Sequence, residues 1–440
     1  VGSFVALLSF PYVFEPMFEL LQLGRFWMVG YWLFALACGM AALRMLHFSH
    51  DSSDNRPRSS VTKSDEPVNL AQRVGWIALP ALASLTLVAV TDHVSHNVAP
   101  EPRLWIATLS LYLLTFIITF DHERWYRRGL VAAACLLSIM LLAGQSDLES
   151  LLGSEWSFGV TELRWTHLTV MFLICFVCHG ELVRIRPKSH QHLTEFYLCM
   201  SFGGACGSLF VTLIAVNFFD DYYEWPLCLL LGTLLSTVVV VGAARRRLST
   251  AEPTPPSLAL TCLAGLILSA CVLYWEDPLA WRSGSSSAFD RNELYASRNF
   301  YGTVSIVDRR HRSDLKENFR TFFSGTIVHG QQFTDPERLS WPTSYYGKQS
   351  GAGQTLRHAQ SQHPALRVAL VGLGAGTLAT YARPSDEYDF YEINPEVVHI
   401  AKEFFTYLPS CPARTRVILG DVGDAEVVGQ QRHLQRRHGQ

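Results

Sequence analysis

Charge is scarce in this chain. Only 17% of its 440 residues are Asp, Glu, Lys or Arg, against about 25% in ordinary soluble proteins. The signs nearly cancel, leaving a formal net charge of −2 and no electrostatic case for a nucleic-acid partner. A disulfide framework is also missing. The ten cysteines are scattered. Cys38, Cys135, Cys175, Cys178, Cys199, Cys206, Cys228 and Cys262 lie in apolar segments, Cys271 near the end of one, and Cys411 in the polar half. They read as small buried hydrophobes. No basic stretch or cleavage site accompanies the first apolar run, which argues against a signal peptide. The opening at Val1, "VGSFVALLSFPYVFEPMF", reads instead as a fragment boundary. No internal repeat is visible.

What is abundant is apolar sequence, at 49% of the chain. Residues 1–275 are strongly apolar with short polar breaks, whereas 276–440 have ordinary soluble composition. A bilayer core needs about 20 apolar residues per helix, and on that measure about nine segments qualify. They are 1–18 (partial), 26–46, 74–91, 104–120, 128–144, 163–183, 195–219, 225–244 and 258–275. Runs such as "LWIATLSLYLLTFIITF" and "WPLCLLLGTLLSTVVVVGAA" lack the polar stripe of a soluble amphipathic helix. The expectation is a multi-span helical membrane domain over 1–275, with the lipid bilayer as its partner. "FGGACGS", within 195–219, reads as an irregular or re-entrant piece.

Lys and Arg alternate between loops. Arg56, Arg58, Lys63 and Arg73 lie in one loop, Arg124, Arg127 and Arg128 in the next basic one, then Arg184, Arg186 and Lys188, then Arg245, Arg246 and Arg247. The loops between hold almost none, and "QSDLESLLGSEW" and "FFDDYYEW" are acidic. By the positive-inside rule the basic loops are cytoplasmic. If 258–275 then crosses, the polar half emerges on the far side, away from cytosolic nucleotides. Either a segment does not cross, a span is missing, or the ligand is not cytosolic. Residues 51–67 are a polar loop and 250–257, "TAEPTPPS", a stiff linker.

Polar groups near the membrane raise two further readings. "CFVCH", Cys175 to His179, fits a c-type haem attachment pattern. An apolar helix ending in the cytoplasm gives it neither room nor the right compartment, so the cysteines read as packing residues. His179, Glu181, Arg184, Arg186, His192 and Glu195 cluster at one membrane face, as an interfacial loop or as a substrate or proton-linked site. Glu15, between Pro11 and Pro16, is a weaker case of the same kind.

Residues 276–298 read as a linker and 299–350 as a small β unit. "FYGTVSIVD" alternates as a strand, and "RTFFSGTIVHG" reads as a hairpin around Ser324-Gly325. "PTSYYGKQSGAGQTL" leads into a short helix or loop. Residues 351–421 then read as part of an α/β domain. "LRVALVGLG" is a buried parallel-type strand ending in Gly372, Gly374 and Gly376, where glycine permits a tight turn and close ligand approach. A short helix from Thr377 ends at Pro384, and "YDFYEI" is a second strand. Glu392 ends that strand, placed to accept hydrogen bonds from ribose hydroxyls. Asn394 and Pro395 open the next helix, and "TRVILGD" is a third strand ending on Asp421, placed to read an adenine amino group. The set points to an adenosine-type ligand. A P-loop is excluded, since no Gly-Lys-Ser/Thr ending follows the glycines. No metal-ligand spacing stands out.

These residues resemble the spermidine synthase (polyamine aminopropyltransferase) family. "VALVGLGAGTLA", "YDFYEINPEVVHIA" and "VILGD" look like its cofactor motifs. "HGELVRIRP", "HLTEFYLCMSFGGACGSLF" and "RNFYGTVSIVD" are similar to bacterial proteins that fuse a multi-span membrane domain to such a domain. The resemblance implies a small β domain followed by a methyltransferase-like Rossmann domain, anchored in a bacterial inner membrane. It implies aminopropyl transfer from decarboxylated S-adenosylmethionine to a polyamine. Glu392 would bind ribose, Asp421 adenine, and Gly372, Gly374 and Gly376 the amino-acid-derived end, with Gln332 and Tyr345 at positions facing the ligands. Soluble members carry Tyr-His-Glu where "YYG" stands here. The family's aspartate-bearing fourth strand has no counterpart in 422–440, "VGDAEVVGQQRHLQRRHGQ", which resembles a truncated or out-of-frame tail. The catalytic residue is thus unassigned, and a catalytically incomplete form is expected. Two other readings stand beside it: a methyltransferase using intact S-adenosylmethionine, and a transporter with a nucleotide-sensing soluble module.

Overall fold

Long apolar runs without a polar face have one stable outcome, helices whose backbone groups are satisfied internally. The computed structural model describes residues 2–51, 68–97, 102–145, 160–248, 265, 267–268 and 289–420. Among the described residues, seven helices longer than a few turns occupy the first part: α2 (Leu20–Asp51), α3 (Leu70–Asn97), α4 (Pro102–Asp121), α5 (Arg128–Ala143), α6 (Val160–Arg184), α7 (Leu193–Leu209) and α8 (Glu224–Leu248). A short α1 (Gly2–Ser9) precedes them. Six stretches of the described residues are long and apolar enough to cross a membrane, and α5 is a shorter apolar helix. The protein is membrane-embedded. The bare flank of α2 agrees, since Trp27, Tyr31, Trp32, Leu33 and Phe34 are all exposed, a patch that water would not tolerate.

Two segments differ from expectation. The first apolar run is broken into α1, a π-turn at Phe10–Phe14 and a turn at Glu15–Met17, because Pro11 and Pro16 remove backbone donors. "FGGACGS" is ordinary helix within α7; the π-turn comes after it, at Phe210–Ala215. Two of its three glycines serve packing. A Cβ on Gly203 would lie 2.2 Å from the Ile77 carbonyl oxygen, and one on Gly207 2.1 Å from that of Ala81. Small residues four apart let α7 seat directly on the α3 backbone, and the Ser84 and Ser208 hydroxyls meet at 2.6 Å across the seam. The loops 52–67 and 146–159, nearly all of 258–275, residues 276–288 and the tail 421–440 lie outside the described residues.

The chain packs as two units. One comprises Val1–Thr91, Pro100–Ser208 and Cys228–Ser269; the other comprises Asp92–Ala99, Leu209–Leu227 and Ala270–Gln440. The second holds both sheets. Strands β1 (Phe289–Asn299), β2 (Gly302–His311), β3 (Phe319–Ser324) and β4 (Ile327–Phe333) form an antiparallel meander in that order. β1 begins inside the stretch read as linker. Its polar "FDRNELYASRN" hides a strand period, because it pairs through ten positions with the apolar β2. The β3–β4 hairpin turns at Gly325 with φ +57°. Helix α9 (Gly351–Gln362) follows, then a parallel sheet of β5 (Arg367–Val371), β6 (Glu387–Glu392) and β7 (Arg414–Leu419), with α10 (Pro395–Glu403) between the last two. One core serves both sheets: Val304, Ile306 and Phe322 join Leu373, Tyr388, Phe390, Ile400 and Phe405.

Asp386 ties the base of the parallel sheet. Its buried carboxylate accepts from the backbone N–H of Leu366 (2.8 Å) and Arg383 (2.9 Å) and from the Arg383 guanidinium (3.0 Å). Burial pushes its pKa up, but the Arg383 and Leu366 hydrogen bonds outweigh that and hold it below the usual value. A depressed carboxylate stabilises the fold fully above its unfolded pKa, about 3.9, and the gain is lost as pH falls through the folded value. Thermal melting of this unit should therefore lose stability below about pH 4, and Asp386→Asn should flatten that acid limb while lowering stability near neutrality. An unchanged acid limb would show that Asp386 does not set it.

Candidate ligand-binding site

The site grows from the end of β5. The Gly372 N–H still bonds the Tyr391 carbonyl (2.8 Å), so the ladder holds to that residue. The chain then turns through Gly372 (φ +87°), Gly374 (φ +55°) and Gly376 (φ +80°), all in the left-handed region that favours glycine. Their surroundings differ. A Cβ on Gly374 would lie 2.9 Å from the His329 carbonyl oxygen, and one on Gly376 3.4 Å from Leu408, whereas one on Gly372 meets nothing within 4 Å. Packing requires glycine at Gly374, and the left-handed backbone favours it at Gly376. Gly372 faces open space.

Glu392 closes the other side from the end of β6. One carboxylate oxygen accepts from Leu373 N–H at 2.9 Å and the other from Asn394 N–H at 3.0 Å. An ionised carboxylate has about four acceptor positions, so two backbone bonds fix its direction and leave capacity for further donors. Asn394 is the cap of α10, with its side chain accepting from Glu396 N–H at 3.0 Å, and Pro395 takes the first helical position. The Asn299 side-chain amide donates to the same Asn394 oxygen at 2.7 Å. Just past the glycines, the buried Thr377 hydroxyl has no hydrogen-bond partner among the described residues.

The other expected residues are placed differently. Gln332 is buried and occupied: its amide donates to Thr406 Oγ1 (2.7 Å) and the Leu339 carbonyl (2.9 Å) and accepts from Thr406 N–H (3.1 Å). It pins β4 to the turn after α10. Tyr345 is 54% exposed and its ring lies against Tyr346. Tyr346 comes closer to the loop, its hydroxyl 3.8 Å from the Cβ position of Gly374. Burial, then hydrogen bonding with Tyr345, raises the Tyr346 hydroxyl above the usual phenol range, so it is protonated at neutral pH. Asp421 lies outside the described residues.

His329 was missed by sequence reasoning. It sits half-buried on β4, where burial pulls its pKa down against the opposing pull of Glu392, leaving it neutral near pH 7. Its only sequence signal is position in the hairpin strand, before Gly330. A Cβ on Gly330 would come 2.4 Å from that of Ala375, so β4 and the glycine loop are in direct backbone contact.

The charged group near the membrane is held by ion pairs and hydrogen bonds. Glu181 accepts from Arg128 Nε (2.7 Å), Arg184 (2.9 Å) and the Tyr126 hydroxyl (3.1 Å). Gly180 leaves room for the Tyr126 ring, which a Cβ would meet at 2.5 Å. His179 is buried between α6 and α4, with Nδ1 2.8 Å from Thr115 Oγ1 and its ring against Phe116. Glu195 pairs with Arg73 at 2.7 Å and His192 at 3.2 Å.

Comparison with known protein families, curated proteins and solved structures returns no match to this chain. The reading of the site therefore rests on its residues.

Proposed function

We propose that this chain is a membrane-embedded, spermidine synthase-like protein whose second unit binds an adenosine-type ligand in a methyltransferase-like Rossmann site. The observation that carries the reading is the pairing of Gly372, open on its Cβ side, with Glu392, aimed by the loop's own Leu373 N–H. In this reading Glu392 accepts from the ribose hydroxyls, the glycine loop borders the amino-acid-derived end, and Asp421 reads the adenine. Thr377 and Tyr346 offer further polar contacts beside the loop.

The reaction this site type serves is aminopropyl transfer. An amine nitrogen attacks the propyl carbon next to the sulfonium of decarboxylated S-adenosylmethionine. The carbon–sulfur bond breaks with its electrons on sulfur, methylthioadenosine leaves, and the amine gives up a proton. A base must take that proton, because a protonated amine is no nucleophile. The described parallel sheet has three strands, and the family's fourth, aspartate-bearing strand has no counterpart among them. The described residues thus supply binding groups, and binding is the property to test first.

Equilibrium binding to the full chain in nanodiscs should detect methylthioadenosine and decarboxylated S-adenosylmethionine. Glu392→Gln should weaken both about 10- to 100-fold, the equivalent of hydrogen bonds to a charged group worth about 1.5–3 kcal/mol. Tighter binding of intact S-adenosylmethionine would turn the reading to a methyltransferase. No adenosine-type binding, or an unchanged affinity in Glu392→Gln, would overturn it.

A further inference from the structure

The second unit contains more than the two sheets. It includes Asp92–Ala99, at the end of α3, and Leu209–Leu227, which runs from the end of α7 into the first turn of α8. The tie is specific. Arg298 on β1 forms a bidentate ion pair with Glu224, at 2.6 and 2.9 Å, and donates to the Asp221 carbonyl at 2.9 Å. Its guanidinium lies 4.4 Å over the Tyr222 ring. Both charged side chains are buried, at 2% and 0% exposure. The sheets are therefore fixed to the acidic loop "DDYYE" that opens α8.

The opposite ends of the same helices carry the positive charge. Helix α8 starts at Glu224 and ends at Leu248, after Arg245, Arg246 and Arg247. Its 25 residues rise about 37 Å at 1.5 Å each, enough to cross a hydrocarbon core of about 30 Å. Helix α3 enters from the loop with Arg56, Arg58 and Lys63 and ends at Asn97. Helix α7 starts after Arg184, Arg186 and Lys188 and runs toward Asp220 and Asp221. Three helices agree: basic at one end, joined to the sheet-bearing unit at the other.

We infer that the two sheets, and the glycine loop with Glu392, face the extracytoplasmic side of the membrane. Positive charge in short loops is retained in the cytoplasm, so the opening end of α8, which binds Arg298, lies outside. The inference rests on charge and contacts and goes beyond the proposed ligand. Its consequence is that whatever fills the glycine loop comes from the outer compartment or through the helical domain, not by diffusion from the cytosol.

Thiol labelling of the full chain tests it. Lys316, on an exposed turn between β2 and β3, and His122, in the basic loop before α5, are both exposed. Lys316→Cys and His122→Cys are made singly in a background with the native cysteines replaced, and probed in spheroplasts with a membrane-impermeant maleimide. Lys316→Cys should label in intact spheroplasts, and His122→Cys only after permeabilisation. The reverse pattern overturns the inference. Should the cysteine-free background fail to fold, trypsin added to spheroplasts of the unaltered chain reads the same thing. Cleavage in "RRHRSDLK", 309–316, from outside supports the inference, and protection there until lysis overturns it. Ligand binding measured in nanodiscs does not depend on sidedness, so failure of either proposal leaves the other standing.

Discussion

Arg298→Ala should be among the most damaging single substitutions in the protein, at about 3–5 kcal/mol, because removing one partner strands a buried charge. Glu224 is fully buried and would keep its carboxylate with no cation against it. Burial alone would lower the basicity of Arg298, yet the Glu224 carboxylate outweighs it and the net shift is upward, so Arg298 stays cationic across the working pH range. Arg298→Lys should recover only part of the loss. A lysine ammonium cannot make the two-pronged contact with Glu224 while lying flat on Tyr222. The double variant Arg298→Met with Glu224→Met should be less damaged than either single change, since paired apolar replacements remove both desolvation penalties. Hydrogen exchange of residues 289–311 and 221–228 in the full chain reads the effect directly. Protection should fall in both segments together in Arg298→Ala and return in both in the double variant. Loss confined to one segment would mean that the pair does not join them.

Much of this architecture is visible in the residues, and the hidden part has a common cause. The parallel sheet follows from local signals. An apolar run precedes Gly372, an acid ends the next strand at Glu392, and Asn394-Pro395 opens a helix; the strands and the helix lie at these positions in the structure. Long apolar runs likewise mark the helices from α2 to α8, whereas the first run is broken and 258–275 lies almost wholly outside the described residues. What local pattern cannot carry is pairing across distance. Gly203 and Gly207 look like a flaw in a helix until α3 is laid against them. β1 looks like linker because its partner β2 supplies the apolar face. Gln332 has the chemistry of a ligand contact, but Thr406, 74 residues away, takes its amide. Arg298 and Glu224 are also 74 residues apart, and nothing in either stretch points to the other. The same holds for His329, whose importance comes only from the loop that packs on it.

The glycine loop gives the second large effect, and it separates packing from binding. Gly330→Ala should cost about 1–3 kcal/mol as an overpacked core position, since the new methyl would sit 2.4 Å from the Ala375 Cβ. Gly374→Ala should cost more. It combines a similar clash, 2.9 Å from the His329 carbonyl, with the left-handed penalty of about 1–2 kcal/mol for a residue with a Cβ. Gly372→Ala has only that second term, because its Cβ points into open space. Melting of the second unit should therefore fall in the order Gly374→Ala, then Gly330→Ala, with Gly372→Ala least affected. Affinity for methylthioadenosine should run the other way for Gly372→Ala, whose methyl enters the space left for the ligand. Adding Ala375→Gly to Gly330→Ala moves the methyl across the contact without enlarging it. Ala375 is not in a left-handed conformation, so the exchange should restore most of the lost stability. Recovery would establish that β4 and the glycine loop are held at backbone distance by one methyl group. An equally unstable double variant would place the damage of Gly330→Ala elsewhere in β4.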